Sequence, residues 1–318
     1  MASQPPSERN LLVPAPLHIG DSVGIVAAAG PPDPTILDAG IQFLERTGLR
    51  PVTGCHINER NGYLAGTDDQ RCRDLNSMLK DQRVRGIMLA RGGYGTMRLL
   101  RTVDYHAVAA DPKLLLGMSD VTALQLALYK RCGLVTLSGP MIAGQVGQTL
   151  DPLSEQWLIK ALTSPLDGRN LWPPEPGLQV LRHGRALGAL LGGCLSLVTA
   201  LLGTPYCPCY QGAILLLEEV GEPPYRVDRM LIQLKLAGIL DSVAGMVLGH
   251  FLGPDGTSIL DEAQRIVMEL TSDNPIPVIT GYPHGHTLPN LTIPNAAPVE
   301  FDTEAEKLVV CFSEGSSS

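Results

Sequence analysis

Between Asp21 and about Pro140, short apolar runs alternate with stretches of helical periodicity, and that alternation admits few architectures. A strand followed by a helix and then by a second strand running the same way builds a parallel sheet covered by helices. Residues 23–28 read as the first strand and Gly30-Pro-Pro-Asp-Pro34 as its turn. The helix that follows carries Ile36, Ile41, Phe43 and Leu44 as apolar positions. Thr67, followed by two aspartates, caps a second helix whose Cys72, Leu75, Met78 and Leu79 share one face. Residues 86–90 form a strand ending at Arg91-Gly-Gly-Tyr-Gly95, and 114–116 form one ending at Gly117-Met-Ser-Asp120. Both turns therefore stand at carboxyl ends of strands, where open α/β sheets place their ligands.

The pattern lapses between about Thr163 and Gly184, where prolines and glycines gather. A chain of 318 residues exceeds what one hydrophobic core usually serves. The organisation expected is an α/β domain over 1–162, a connection over 163–184 and a smaller, strand-rich domain over 185–318. Within the last of these, 186–194, 213–217, 243–249, 277–281 and 308–312 read as strands. Only 226–237 reads as a well-formed helix, with Val227, Met230, Leu231 and Leu234 at helical spacing and Gly238 as its stop.

The net charge of −8, with no dense Lys/Arg cluster, excludes the electrostatic footprint of a nucleic-acid binder and favours a small-molecule or peptide partner. The first ten residues lack the basic and apolar segments of a secretory signal, and the apolar run 187–201 is broken by glycines, so no membrane association is expected. Seven scattered cysteines, an odd number, fit reduced thiols in the cytoplasm. Cys207-Pro-Cys209 has no second ligand pair at zinc-site spacing, and Arg91-Gly-Gly-Tyr-Gly95 lacks the spacing of a dinucleotide loop. Neither a metal nor a cofactor is therefore expected.

Ser119 lies where a buried strand turns into the helix beginning at Val121, a geometry that lifts a hydroxyl above a sheet edge and brings helix N-terminal amides near it. An ordinary helix cap, by Ser119 or Asp120, fits the same residues. A serine nucleophile needs a histidine base and a group to orient it. His286 stands in the glycine- and proline-rich loop Gly281-Tyr-Pro-His-Gly-His-Thr-Leu-Pro-Asn290, directly after a strand. A surface histidine, or a metal pair with His284, are the competing readings. Glu218 and Glu219 end an apolar strand, and because a strand alternates its faces only one can address a given cleft. Cys194, flanked by Gly192, Gly193 and Leu195, is the rival nucleophile, or else a small buried hydrophobe.

Taken together, Gly20 to Pro31, Arg91-Gly-Gly-Tyr-Gly95, Gly117-Met-Ser-Asp-Val-Thr-Ala-Leu124, Leu217-Glu-Glu-Val-Gly-Glu222, Tyr225-Arg-Val-Asp-Arg-Met-Leu231, Gly285-His286 and Pro289-Asn-Leu-Thr-Ile-Pro294 resemble, in order, the LD-carboxypeptidase family of serine peptidases. That family takes in murein tetrapeptide carboxypeptidases and microcin-immunity peptidases. The resemblance implies a flavodoxin-like or glutamine-amidotransferase-like N-terminal domain, a C-terminal domain contributing Glu218 and His286, and a site between the two. It makes Ser119 the nucleophile, His286 the base and Glu218, rather than Glu219, the orienting acid. The implied oxyanion hole uses the amide of Asp120 and an amide of Gly92 or Gly93.

The activity implied is release of a terminal D-alanine from a murein-type stem peptide in cell-wall recycling, by a homodimer. Cleavage of peptidyl-nucleotide or acyl-amino-acid conjugates is the alternative within enzymes, and a catalytically silent ligand-binding module the alternative outside them. The chain departs from the family at Cys194, where asparagine is usual, and at Asn295, where an apolar residue and then glycine are common.

Overall fold

In the computed structural model, residues 11–174 and 177–312 are described. The N-terminal segment read as lacking a secretory signal, and the Ser316–Ser318 tail, lie outside them. The chain divides into two compact units, one comprising Leu11–Pro165 and Leu291–Pro294, the other Leu166–Asn290 and the residues from Asn295 onward.

The N-terminal unit holds β1 (Ser22–Val26), β2 (Arg50–Thr53), β3 (Val84–Leu89), β4 (Leu114–Gly117) and β5 (Thr136–Ser138). All four pairings among them are parallel, in the order β5-β4-β3-β1-β2. Val23, Ile25, Ile87, Met88, Leu115 and Leu116 are buried, as expected of central strands with both faces covered. The helices start where the sequence indicated. Asp33 accepts from the amides of Thr35 and Ile36 ahead of the helix Pro34–Arg46. Thr67 and Gln70 form a reciprocal capping box at the helix Asp68–Lys80. On the first of these helices the buried face is Leu37, Gly40, Phe43 and Leu44; Ile36 and Ile41 are only partly covered.

The C-terminal unit holds β6 (Gln179–Arg182), β7 (Arg185–Cys194), β8 (Ile214–Val220), β9 (Gly245–Leu252) and β10 (Val278–Thr280). After β11 (Ile293–Asn295) come β12 (Pro298–Asp302) and β13 (Lys307–Val310). Seven strands make one mixed sheet, β13-β12-β7-β8-β9-β10-β6, parallel from β7 to β10 and antiparallel at both margins. β11 instead joins the first sheet beside β5.

Three features differ from the sequence reading. β6 falls inside the stretch expected to be a connection. β12 was not anticipated, and its pairing with β13 depends on a tight turn over 303–306. The helix 226–237, observed as Pro224–Leu236, is not the only well-formed one. Leu260–Leu270 is helical, with Ala263, Ile266 and Val267 buried and Asp261 and Glu262 in its first turn. Its start has no side-chain cap, which removes the strongest boundary signal. Among the described residues, no helix is long and apolar enough to cross a membrane.

Candidate active site

Ser119 follows β4 in the N-terminal unit, opening a single 3₁₀ turn, Ser119–Val121, that leads into the helix Thr122–Cys132. Its φ is +62°, a left-handed conformation that a residue with a side chain enters only where the surroundings impose it. Its side chain is partly accessible, between buried Met118 and buried Asp120. The turn after β3 approaches from the next strand. A Cβ on Gly92 would stand 2.8 Å from both Cβ and Oγ of Ser119, so only glycine lets this backbone lie against the hydroxyl. The Gly92 carbonyl accepts from the Gly30 amide at 3.0 Å, which ties the turn to the loop after β1. Gly93 has φ +109°.

Asp120 is itself held at two points. Its carboxylate accepts from the Thr96 amide at 2.8 Å, and its carbonyl accepts from the Thr96 hydroxyl at 2.5 Å. Burial raises its pKa, and the bonds from Thr96 partly offset that rise. Neither Thr96 nor this use of the Asp120 side chain was singled out from the sequence. A small polar residue directly after a glycine turn was the available signal.

In the C-terminal unit, Glu218 and His286 meet. The imidazole Nδ1 lies 2.7 Å from Glu218 Oε2, with the glutamate 1% and the histidine 20% exposed. Glu218 sits near the end of β8, and His286 in the loop after β10. The loop is held by the Gly285 amide donating to Asn290 Oδ1 at 3.2 Å, and by the Tyr282 hydroxyl donating to the Leu171 carbonyl at 2.7 Å. A Cβ on Gly285 would stand 2.9 Å from Glu218 Oε2, so this glycine clears space for the carboxylate. Burial works against the imidazolium of His286. The Glu218 charge and hydrogen bond, helped by Glu219, outweigh it and leave the pKa raised.

Glu219, the next residue, has different partners. Its carboxylate accepts from the amides of Ser196, at 2.7 Å, and Val220, at 2.9 Å, and its pKa is raised by burial and by the Glu218 charge. Cys194 is buried, and burial followed by the charges of Glu218 and Glu219 holds its thiol well above the ordinary range. It is a core thiol with little access to the thiolate form. His284 is fully buried, and its carbonyl accepts from the His250 amide at 2.9 Å. Burial, followed by His284 and His286, lowers the His250 pKa to about 4, although Glu218 pulls it the other way. Among the described residues, no group of three or more His, Cys, Asp or Glu side chains is arranged to hold a metal ion.

The chain thus combines a parallel α/β unit bearing a serine on a strained strand-to-helix turn with a part-buried glutamate–histidine pair. Residues 23–139 match the N-terminal domain, and 187–301 the C-terminal domain, of LD-carboxypeptidase. The chain belongs to the LD-carboxypeptidase family. It is 36% identical over 302 residues to a probable murein peptide carboxypeptidase of Bacillus subtilis, covering 93% of each chain. Among solved structures, it is similar to muramoyltetrapeptide carboxypeptidase from Oxalobacter formigenes, with a TM-score of 0.78, 31% identity and coverage of 90% and 97%. It is also similar to the microcin C7 self-immunity protein MccF, known from Escherichia coli, with a TM-score of 0.86, 26% identity and coverage of 95% and 99%.

Proposed function

We propose that this chain is a serine carboxypeptidase that hydrolyses an LD-peptide bond and releases the terminal D-alanine of murein-type tetrapeptides. The observation that carries the reading is the part-buried contact between Glu218 and His286. A carboxylate on Nδ1 favours the tautomer with its proton there, which leaves Nε2 as a lone-pair acceptor. In this reading His286 Nε2 takes the Ser119 proton as Oγ attacks the scissile carbonyl. Glu218 stabilises the imidazolium, and the amides of Asp120 and of Gly92 or Gly93 receive the oxyanion. His286 then protonates the leaving D-alanine nitrogen, and water, activated by the same histidine, hydrolyses the acyl-enzyme.

The relatives named as murein peptide carboxypeptidases support the substrate class. A cytoplasmic location in wall recycling, and a homodimer, belong to the same proposal. The likeness to MccF favours a second reading, cleavage of acyl-amino-acid or peptidyl-nucleotide conjugates, over a catalytically silent binding module. Purified protein incubated with stem peptides ending in LD, DL or LL bonds, and with an aminoacyl sulfamoyl nucleoside, decides between them. Loss of one alanine from the LD tetrapeptide alone is expected. Turnover of the nucleoside conjugate with an intact tetrapeptide would reverse the assignment.

A further inference from the structure

The left-handed conformation of Ser119 is strained for a residue with a side chain and persists only where neighbours over-determine it. Ahead of the serine, the Gly117 carbonyl accepts from Gln125 Nε2 at 3.1 Å and from the Gly139 amide at 3.3 Å. Behind it the constraint is Thr96. This one residue grips Asp120 at two points, with its amide on the carboxylate and its hydroxyl on the main-chain carbonyl. Both residues are 1% exposed, so water does not readily replace either bond.

The peptide between Ser119 and Asp120 carries the N–H proposed for the oxyanion hole. A residue held at its side chain and at its own carbonyl has little freedom to rotate that peptide. Thr96 also opens the helix Thr96–Leu99 directly after the turn whose Gly92 lies against Ser119, so it fastens the two strand-end turns to each other.

We infer that Thr96 is a positioning residue for acyl transfer: through Asp120 it holds Ser119 in its left-handed conformation and the Ser119–Asp120 amide in one orientation toward the oxyanion. The inference rests on Ser119 being the nucleophile, as proposed above. It goes further in assigning the preorganisation of the hole to a side chain that touches neither substrate nor nucleophile. A residue that merely stabilised the fold would change the amount of folded protein, not the reactivity of each folded molecule.

Thr96→Val removes the hydroxyl at nearly constant shape, and Thr96→Ser keeps it. Thr96→Ala serves as a second deletion should valine fit poorly. All rates are referred to the folded fraction measured by circular dichroism. The valine and alanine variants are expected to lose about 10- to 100-fold in kcat with KM within about 3-fold, and serine to stay near wild type. The second-order rate at which a small fluorophosphonate labels Ser119 should fall in the same proportion, because its phosphoryl oxygen calls on the same amides.

Wild-type labelling and kcat in the valine and alanine variants, or a serine variant as impaired as they are, would overturn the role of Thr96. A wild-type enzyme that labels at Ser119 yet leaves LD tetrapeptides intact would instead overturn the substrate assignment. The labelling rates then still decide the inference.

Discussion

The His286 imidazole bonds Glu218 through Nδ1 at 2.7 Å, and solvent reaches only the histidine end of the pair. In the proposed mechanism this arrangement divides the work: the buried acid orients the ring, and the imidazole exchanges a proton. Glu219, the next residue along β8, is spent on the amide of Ser196 at the start of the helix Leu195–Ala200.

Two substitutions separate the nucleophile from its rival. Ser119→Ala should reduce kcat by several orders of magnitude, whereas Cys194→Ala should keep most of it, because that thiol is buried and held protonated. Steady-state kinetics on the LD tetrapeptide measure both, and a Cys194 variant as dead as Ser119→Ala would move the chemistry to sulfur.

The adjacent glutamates make a sharper comparison. Glu218→Gln keeps the shape but removes the charge beside the imidazolium, so kcat should fall far more than KM changes. Glu219→Gln retains an acceptor for the Ser196 amide and should leave kcat within about 3-fold of wild type. If the sensitivities exchange, the orienting acid has been misassigned.

The proposed base, His286, also sets an expected pH profile. The base must be neutral, and its pKa lies above the ordinary histidine value of about 6.5, so the acid limb of kcat/KM should have its midpoint above that pH. In Glu218→Gln, burial loses its main opponent and the limb should move down. His250, with its pKa near 4, stays neutral through this range and does not blur the limb. Linkage has the matching sign. A folded-state pKa raised above the unfolded one gives stability that is fully present below about pH 6.5 and is lost as pH rises through the raised value. A wild-type limb below pH 6, or one unmoved in the glutamine variant, contradicts this account.

Gly92→Ala tests the close approach to the nucleophile. The new Cβ would compete for space with Ser119 Oγ, so kcat/KM should drop by about 100-fold or more, at a cost in Tm of a few degrees. An alanine variant with normal turnover would mean that the turn gives way and does not shape the site.

Much of the N-terminal unit was legible because its signals are local. Strand runs, the Thr67 cap, and glycines at strand ends each lie within a few residues of what they specify. Ser119 was readable as a turn residue, but its positive φ was not, and neither was the bond from Thr96, more than twenty positions away, to the neighbouring Asp120. That one of the two adjacent glutamates, Glu218, would meet His286 was legible from strand alternation together with the family resemblance, whereas the Ser196 partner of Glu219, 23 residues distant, was not. β6 and β12 escaped for the same reason: each is a strand of four or five residues whose identity comes from the strands it pairs with.

The return of Leu291–Pro294 to the first unit, where β11 extends its sheet beside β5, bears on how such a chain could arise and be rebuilt. Neither half is a contiguous cassette. A shuffling event that exchanged everything beyond Pro165 would strip the recipient of an edge strand and expose the backbone of β5 to unintended pairing. Chimeras between relatives should therefore carry the 291–294 segment together with the N-terminal partner. Inheritance of the two halves is coupled by the four residues Leu291–Pro294.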